Sequence, residues 1–251
     1  MNSKLKISIV SYLNSKPFIY GLRESGFNKK ADVQLDIPSV CAEKLISGQA
    51  DIGLVPVAIL ARLSNYHIIS DYCIGADDEV SSVLLLSEVP LEKIDKVLLD
   101  YQSRTSVNLA RVLAREFWKI SPQWEDTSSD YEKKINGTTA GVVIGDRALL
   151  LRKKYLYVYD LSAEWKKMTG LPFVFACWVA ISDPGKEFIS EFNQALKSGL
   201  SMIDKVSELE KNDLFSAAEI YEYLTRYIDF NLDDKKKEAL SLFLKYIKSN
   251  P

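Results

Sequence analysis

Across 251 residues the sequence has one histidine, three cysteines and three methionines, and its 32 Lys and Arg nearly balance its 34 Asp and Glu. Each shortage removes a class of function. The lone His67 leaves no set of imidazoles for a metal, and Cys41, Cys73 and Cys177 have no CxxC spacing, so neither a disulfide framework nor a zinc site of standard spacing is expected. The three thiols suit small buried hydrophobes. A net charge of -2 with no basic block gives no field that could hold a nucleic-acid backbone, so no nucleic-acid partner is expected. No apolar run approaches the roughly 20 residues that cross a bilayer, and the richest, Phe173 to Ile181, suits a buried strand, so no membrane partner is expected either. The opening MNSKLKISIV lacks the apolar core and small-residue cleavage site of a secretory signal, which leads us to expect a cytoplasmic protein.

Catalytic signatures are equally sparse. There is no G-x-G-x-x-G, Walker loop, G-x-S-x-G or H-E-x-x-H, and no D-x-D-x-D-G calcium loop. A Ser-His-Asp system would have to use His67, which stands in SNYHIIS beside strand residues and reads as a structural histidine at a strand edge. No cofactor and no resident metal are expected. An enzyme of this composition works by binding geometry and hydrogen bonds rather than by a strong side-chain base.

What is present is alternation. Lys6 to Val10 reads as a strand, followed by a helix that opens near Pro17 and stops at Gly26, with proline at its start and glycine just past its end. Val33 to Ile37 predicts a second strand, Val40 to Ser47 a helix closed by Gly48, and Asp51 to Val55 a third strand stopped by Pro56 before a short helix through Leu63. Apolar runs follow at Ser82 to Leu86, Lys96 to Leu99, Ala140 to Ile144, Leu156 to Val158 and Val174 to Ile181. Ser106 to Trp118 repeats its apolar residues at helical spacing. Strands alternating with helices imply an α/β fold. Past Pro184 strand signals vanish, and three helices are predicted over about 185–209, 213–225 and 233–248. The expected organisation is two lobes with a ligand cleft between them, residues 1–88 plus 182–251 forming one with the helical C-terminal tail, and 89–181 the other.

Polar residues cluster at the ends of the predicted strands, where open α/β sheets hold ligands. They are Ser11, Asn14 and Ser15 after the first strand, Pro56 after the third, Ser81 and Ser82 beside a lobe crossing, Ser103, Thr105 and Ser106 before the longest middle helix, and Gly145 and Asp146 after Ile144. Exposed N–H groups at helix starts favour anions, so these residues could cradle carboxylates. The same residue types also serve as helix caps, at about 1 kcal/mol each.

Five blocks then carry a resemblance. Ser11-Tyr12-Leu13-Asn14-Ser15-Lys16-Pro17, Ser47 to Val57 (SGQADIGLVPV), Ser81-Ser82-Val83, Ile144 to Ala148 (IGDRA), and Asp160-Leu161 with Glu164-Trp165 and Thr169 to Ala176 follow the order seen in the chorismate dehydratase family. The chain thus resembles that family from about Lys4 to Ile181. The resemblance implies a two-lobed fold of the type II periplasmic-binding-protein kind, and a hydro-lyase that takes chorismate to 3-[(1-carboxyvinyl)oxy]benzoate in menaquinone biosynthesis by the futalosine route, without a cofactor. It implies Asn14 at the reacting centre, Ser82 and Thr105 on the carboxylates and Gly145 and Asp146 closing the cleft, while Ser11, Ser15, Pro56 and Ser106 join the expected substrate site from the polar pattern at the strand ends. Arg147 and Lys16 are candidate counter-charges, and Thr169 to Phe173 a candidate wall. Two other readings stay open. One is the sister enzyme that makes dihydroxynaphthoate on a similar fold, which calls for a different first loop and a histidine in the cleft. The other is a non-catalytic protein that binds small anions.

Overall fold

The computed structural model describes residues 4–249. The chain begins with β1 (Leu5–Val10), α1 (Lys16–Glu24), β2 (Ala31–Asp36), α2 (Pro38–Ile46), β3 (Ile52–Pro56) and the long β4 (His67–Ala76). Its middle runs β5 (Val83–Ser87), β6 (Lys96–Leu99), α3 (Arg104–Leu113), β7 (Gln123–Asp126), β8 (Thr139–Ile144), α4 (Asp146–Leu151), β9 (Tyr157–Asp160) and α5 (Leu161–Thr169). It closes with β10 (Phe173–Ala180), α6 (Lys186–Leu200), α7 (Ile203–Glu210), α8 (Ala217–Glu222), β11 (Asp229–Asn231) and α9 (Asp234–Lys248).

The strands form two sheets, a six-stranded one in the order β11-β4-β10-β3-β1-β2 and a five-stranded one in the order β7-β6-β8-β5-β9. In the first, β1 lies parallel to β2 and β3, while β10 runs antiparallel to β3 and β4. In the second, β6 is parallel to β7 and β8, and β5 is antiparallel to β8 and β9. β3, β5 and β10 are buried along their whole length, which is why their sequences are continuous apolar runs rather than alternating ones. The chain passes between the sheets at residues 77–82, after β4, and returns at 170–172, before β10.

Those crossings correct the expected lobes. Val83–Ser87 falls within the expected 1–88 but pairs in the second sheet, and Phe173–Ala180 falls wholly within the expected 89–181 but pairs with β3 and β4 in the first. Pro90 and Pro184 end elements one strand beyond each crossing, so they punctuate the chain without marking where it changes sheet. The tail also departs from an all-helical reading. Asp229–Asn231 adds an edge strand to β4, and three residues are too few to show a period. The long β4 shows no strand period in its sequence, since HIISDYCIGA mixes polar and apolar residues irregularly, and its pairing carries register shifts.

Aromatic side chains fill the core on both sides of β10. Phe18 meets Trp178 and Phe230 edge-on in the first lobe, and Phe173 packs between Trp165 and Phe243. Through Phe243 the last helix, α9, rests on β10 and also on α3 of the second lobe, so the tail braces both. The three cysteines are free and buried, and Cys73 and Cys177 are direct cross-strand neighbours.

Helices α1 and α6 approach so closely that a Cβ added at Gly21 would lie 2.1 Å from the Ala195 carbonyl oxygen, and one at Gly199 would lie 1.9 Å from that of Pro17. In an open helix Gly→Ala is favourable by about 1 kcal/mol. Here the backbone of the neighbouring helix must move, so Gly21→Ala is expected to destabilise the fold by about 1–3 kcal/mol. Urea unfolding should show a lower midpoint with an unchanged slope; an unchanged or raised midpoint would contradict the close approach.

Candidate functional site

One cleft collects the ends of strands from both sheets. Val10, Tyr12 and Asn14 reach it from the end of β1, Pro56 from the end of β3, and Ile144 and Gly145 from the end of β8. Ser103, Thr105 and Ser106 bring the start of α3, Pro38 the start of α2, and Val80, Ser82 and Val83 the crossing. Ile74, Phe175 and Ala176 complete an apolar wall. This is the position at strand C-termini where open α/β sheets hold ligands, with helix N-termini arriving from both lobes. The cleft is narrow, with only about 60 Å³ in which the centre of a water molecule can move. None of the described residues that line it is Asp, Glu, His, Cys, Lys or Arg.

The hydroxyls of this wall share a pattern. Ser82 Oγ accepts a hydrogen bond from the Tyr223 hydroxyl at 2.8 Å, Thr105 Oγ1 accepts from the Ala58 N–H at 3.1 Å, and Ser106 Oγ accepts from Ser103 Oγ at 2.9 Å. All three side chains are buried, and no acceptor among the described residues takes their own O–H protons. A hydroxyl with its lone pair engaged and its proton free is a donor waiting for an acceptor. Three such donors face one cleft.

Contacts across the cleft hold it shut. The Tyr12 hydroxyl donates to Gln102 Oε1, and the Leu13 N–H donates to Asp146 Oδ1 at 3.4 Å. Gly145 has φ +64°, and a Cβ there would lie 3.3 Å from the Tyr12 ring, so only glycine fits. Asn14 Nδ2 donates to the Tyr223 hydroxyl at 3.3 Å, which joins the β1 loop to the crossing through the C-terminal tail. Burial pushes the phenols of Tyr12 and Tyr223 upward, with Asp100 adding to the effect at Tyr12, and both stay protonated. Asp100, fully buried, accepts from the Gln102 N–H, the Tyr131 hydroxyl and Arg147, and so shapes the loop that carries Gln102 and Ser103.

Of the residues expected at the site, Asn14, Pro56, Ser82, Thr105, Ser106 and Gly145 line the cleft. The others do not. Ser11 is exposed, and its N–H is used on the Asp36 carbonyl. Ser15 is fully buried and its hydroxyl donates to the carbonyls of Val10 and Tyr12, closing the turn that presents Asn14. Asp146 faces Leu13 rather than the cavity, and Gly145 spends its N–H on the Ser82 carbonyl at 2.8 Å, so it supplies room rather than a donor. Capping accounts for Ser103, whose Oγ accepts from the Ser106 N–H, but not for Asn14 or Thr105. The candidate counter-charges are already paired, Arg147 with Asp100 and Glu132, and Lys16 with Glu210 at 2.9 Å. Thr169 closes the end of α5 and Phe173 sits in the aromatic core, so neither forms the wall, which is built from Phe175 and Ala176 instead. His67 is exposed on β4, outside the cleft. Tyr12 and Tyr223 are the residues that sequence reasoning missed. The first lay inside the SYLNSKP block, whereas the second is 209 positions from Asn14 and carried no signal.

The crossing itself hangs on Asp160. Its Oδ2 accepts the Val80 and Ser81 N–H groups at 3.0 and 2.7 Å, and its Oδ1 caps α5 through Ser162 and Ala163. Ser81 is held with φ +62°, and its hydroxyl accepts from Arg152 at 2.6 Å. Desolvation raises the Asp160 carboxyl to about 6, a rise that its four N–H donors oppose.

Comparison with known proteins adds the following. The profile of a family described by the words menaquinone biosynthesis matches residues 5–249. A chorismate dehydratase of Thermus thermophilus is 25% identical over 94% of this chain and 93% of its own length. One from Campylobacter jejuni is 25% identical over 96% of each. Among solved structures, protein AF1704 of Archaeoglobus fulgidus superimposes with a TM-score of 0.76 at 12% identity, covering 99% of this chain and 98% of that one. A Candida albicans protein with the generic periplasmic binding protein fold superimposes with a TM-score of 0.61 at 15% identity over 99% and 95%. These likenesses establish a periplasmic-binding-protein-like fold.

The raised Asp160 carboxyl has a definite linkage sign. The folded state binds its proton more tightly than an unfolded chain titrating near 3.8, so the stability it contributes is complete below that value and is lost as pH rises through about 6. Between pH 4 and 6.5 the wild type should lose about 1–2 kcal/mol relative to Asp160→Asn, read from urea midpoints of the two proteins across the range. A difference that stays constant with pH would rule out the raised carboxyl.

Proposed function

This chain belongs to the menaquinone-biosynthesis family, and from that premise we propose that it is a chorismate dehydratase, a cytoplasmic hydro-lyase that converts chorismate to 3-[(1-carboxyvinyl)oxy]benzoate and water on the futalosine route. The observation that carries this reading is the set of three free O–H donors, on Ser82, Thr105 and Ser106, in a narrow apolar cleft with no carboxylate among its described lining residues. Chorismate is a dianion with a flat carbocyclic ring. Its carboxylates need donors and its ring needs an apolar wall, here Phe175, Ala176, Ile74 and Val83. A lining Asp or Glu would repel it.

The chemistry suits such a site. Removal of the C3 proton leaves charge delocalised through the ring diene into the ring carboxylate, and departure of the C4 hydroxyl then makes the ring aromatic. The protein must hold one conformer, stabilise charge growing on that carboxylate, and assist the leaving hydroxyl. Hydroxyl donors fixed before the substrate arrives meet the second demand without reorganising. In this reading the proton goes to the substrate's own enolpyruvyl carboxylate folded near C3. Asn14 meets the reacting centre with its carbonyl oxygen and its second N–H, the first N–H being held by Tyr223. Exclusion of water by the Tyr12 and Gly145 contacts strengthens each of these interactions. Among the described residues no histidine lines the cleft, which counts against the sister dihydroxynaphthoate-forming enzyme.

The purified protein, mixed with chorismate without added metal or cofactor, should yield a product lighter by one water, followed by mass spectrometry. Asn14→Asp adds a negative charge beside a dianion and removes the donor to Tyr223, so kcat/KM is expected to fall at least about 100-fold with the circular dichroism spectrum unchanged. Full activity in Asn14→Asp would remove Asn14 from the chemistry. Unchanged chorismate with folded wild type would discard the dehydratase and favour a protein that only binds small anions.

A further inference from the structure

We infer that Tyr223, contributed by the C-terminal tail and absent from the cleft wall, is a positioning residue that sets the direction of the hydrogen bonds through which Asn14 and Ser82 meet the substrate; this rests on the dehydratase reading. The phenol lies behind both residues. It donates to Ser82 Oγ at 2.8 Å and accepts from Asn14 Nδ2 at 3.3 Å. Burial keeps its proton in place, so its oxygen has one proton to give and lone pairs to receive.

That polarity propagates in both directions. With its lone pair occupied by Tyr223, Ser82 must turn its own proton elsewhere, and the cleft is the side left open, so Ser82 becomes a donor to a carboxylate. With its amide nitrogen held by Tyr223, Asn14 is kept from turning over, and its carbonyl oxygen is left free to accept from a substrate hydroxyl. A chain of hydrogen bonds in a site of low dielectric also polarises along its length, which strengthens the terminal donor. Asn14 follows β1 in the first sheet and Ser82 leads into β5 in the second, so one phenol fixes the two sides of the cleft relative to each other.

The local structure holds the ring in place. A capping box between Ser216 and Glu219 starts α8, Ile220 and Leu224 are buried on either side of Tyr223, and the chain then continues as a π-helical turn, Tyr223–Tyr227, into the β11 edge strand. Insertions of this kind are frequent at functional sites. Tyr223 itself is 4% exposed.

The test is steady-state kinetics with chorismate on the full chain. Tyr223→Phe keeps the ring and deletes the hydroxyl; assayed well below its melting midpoint, it should lose about 10- to 100-fold in kcat with KM within about threefold of wild type. A role confined to packing would lower the melting midpoint without this split. Because only part of the effect of Tyr223 runs through Ser82 and the rest through Asn14, adding Tyr223→Phe to Ser82→Ala should cost less than Tyr223→Phe costs in the wild type, since coupled residues are not additive. Replacing Tyr223 with p-aminophenylalanine keeps the ring and a donor to Ser82, and should retain at least about a fifth of the wild-type kcat, which provides a test even if the phenylalanine variant does not fold. Wild-type kcat in Tyr223→Phe, losses that multiply in the double variant, or a p-aminophenylalanine protein below that level each overturn the inference while leaving the dehydratase standing. A folded wild type that leaves chorismate unchanged overturns both.

Discussion

Four backbone N–H groups converge on the carboxylate of Asp160, and the arrangement of the cleft depends on that convergence. The two sheets are joined by only two crossings, and a short crossing leaves backbone groups that no strand or helix satisfies. Asp160, at the end of β9, takes up Val80 and Ser81 from the first crossing with one oxygen and starts α5 with the other. Ser81 is thereby held in the left-handed region, at a cost of order 1–3 kcal/mol for a residue with a Cβ. What this strain fixes is the next residue, Ser82, whose hydroxyl receives Tyr223 and whose carbonyl receives the Gly145 N–H. From that point the Tyr223 bond to Asn14 and the Gly145 contact with Tyr12 follow by position.

The second theme is a cleft whose described lining residues include no positive side chain. Arg147 lies close by and is spent on Asp100 and Glu132, with its guanidinium over the rings of Tyr101 and Tyr131. Its task is to keep the second lobe's loops in place. The cleft offers hydroxyl protons and helix starts instead. For the proposed reaction, which begins and ends with two carboxylates, this has a clear logic. A desolvated cation would bind substrate and product alike, whereas neutral donors, fixed in direction, discriminate by geometry, and charge that builds on one carboxylate during the reaction gains most from donors already aimed at it.

The chain order explains why the tail matters. β10 returns the chain to the first sheet between β3 and β4, and everything after it packs around that strand: α6 on α1, β11 on β4, α9 against β10 and α3. A tail that contributed only length would not need to reach both lobes. This one places a phenol between them.

By itself the sequence determined the alternation of strands and helices, the lack of metal-site and disulfide motifs of standard spacing, and the polar residues at strand ends, because periodicity, caps and composition are local properties. Asn14, Pro56, Ser82 and Gly145 could be named from that pattern and from the resemblance of the blocks that hold them, and Thr105 and Ser106 from the polar pattern before the longest middle helix. Tertiary structure alone decided which sheet receives β5 and β10, because apolar runs such as LLLS and FVFACWVA record burial and not partners. It decided that Ser15 closes a turn while Ser82, a residue of the same type, lines the cleft, since Ser15 donates its proton to backbone carbonyls whereas Ser82 accepts from Tyr223. And it decided the place of Tyr223, because a hydrogen bond between residues 209 positions apart exists only once the chain has brought both ends to one cleft.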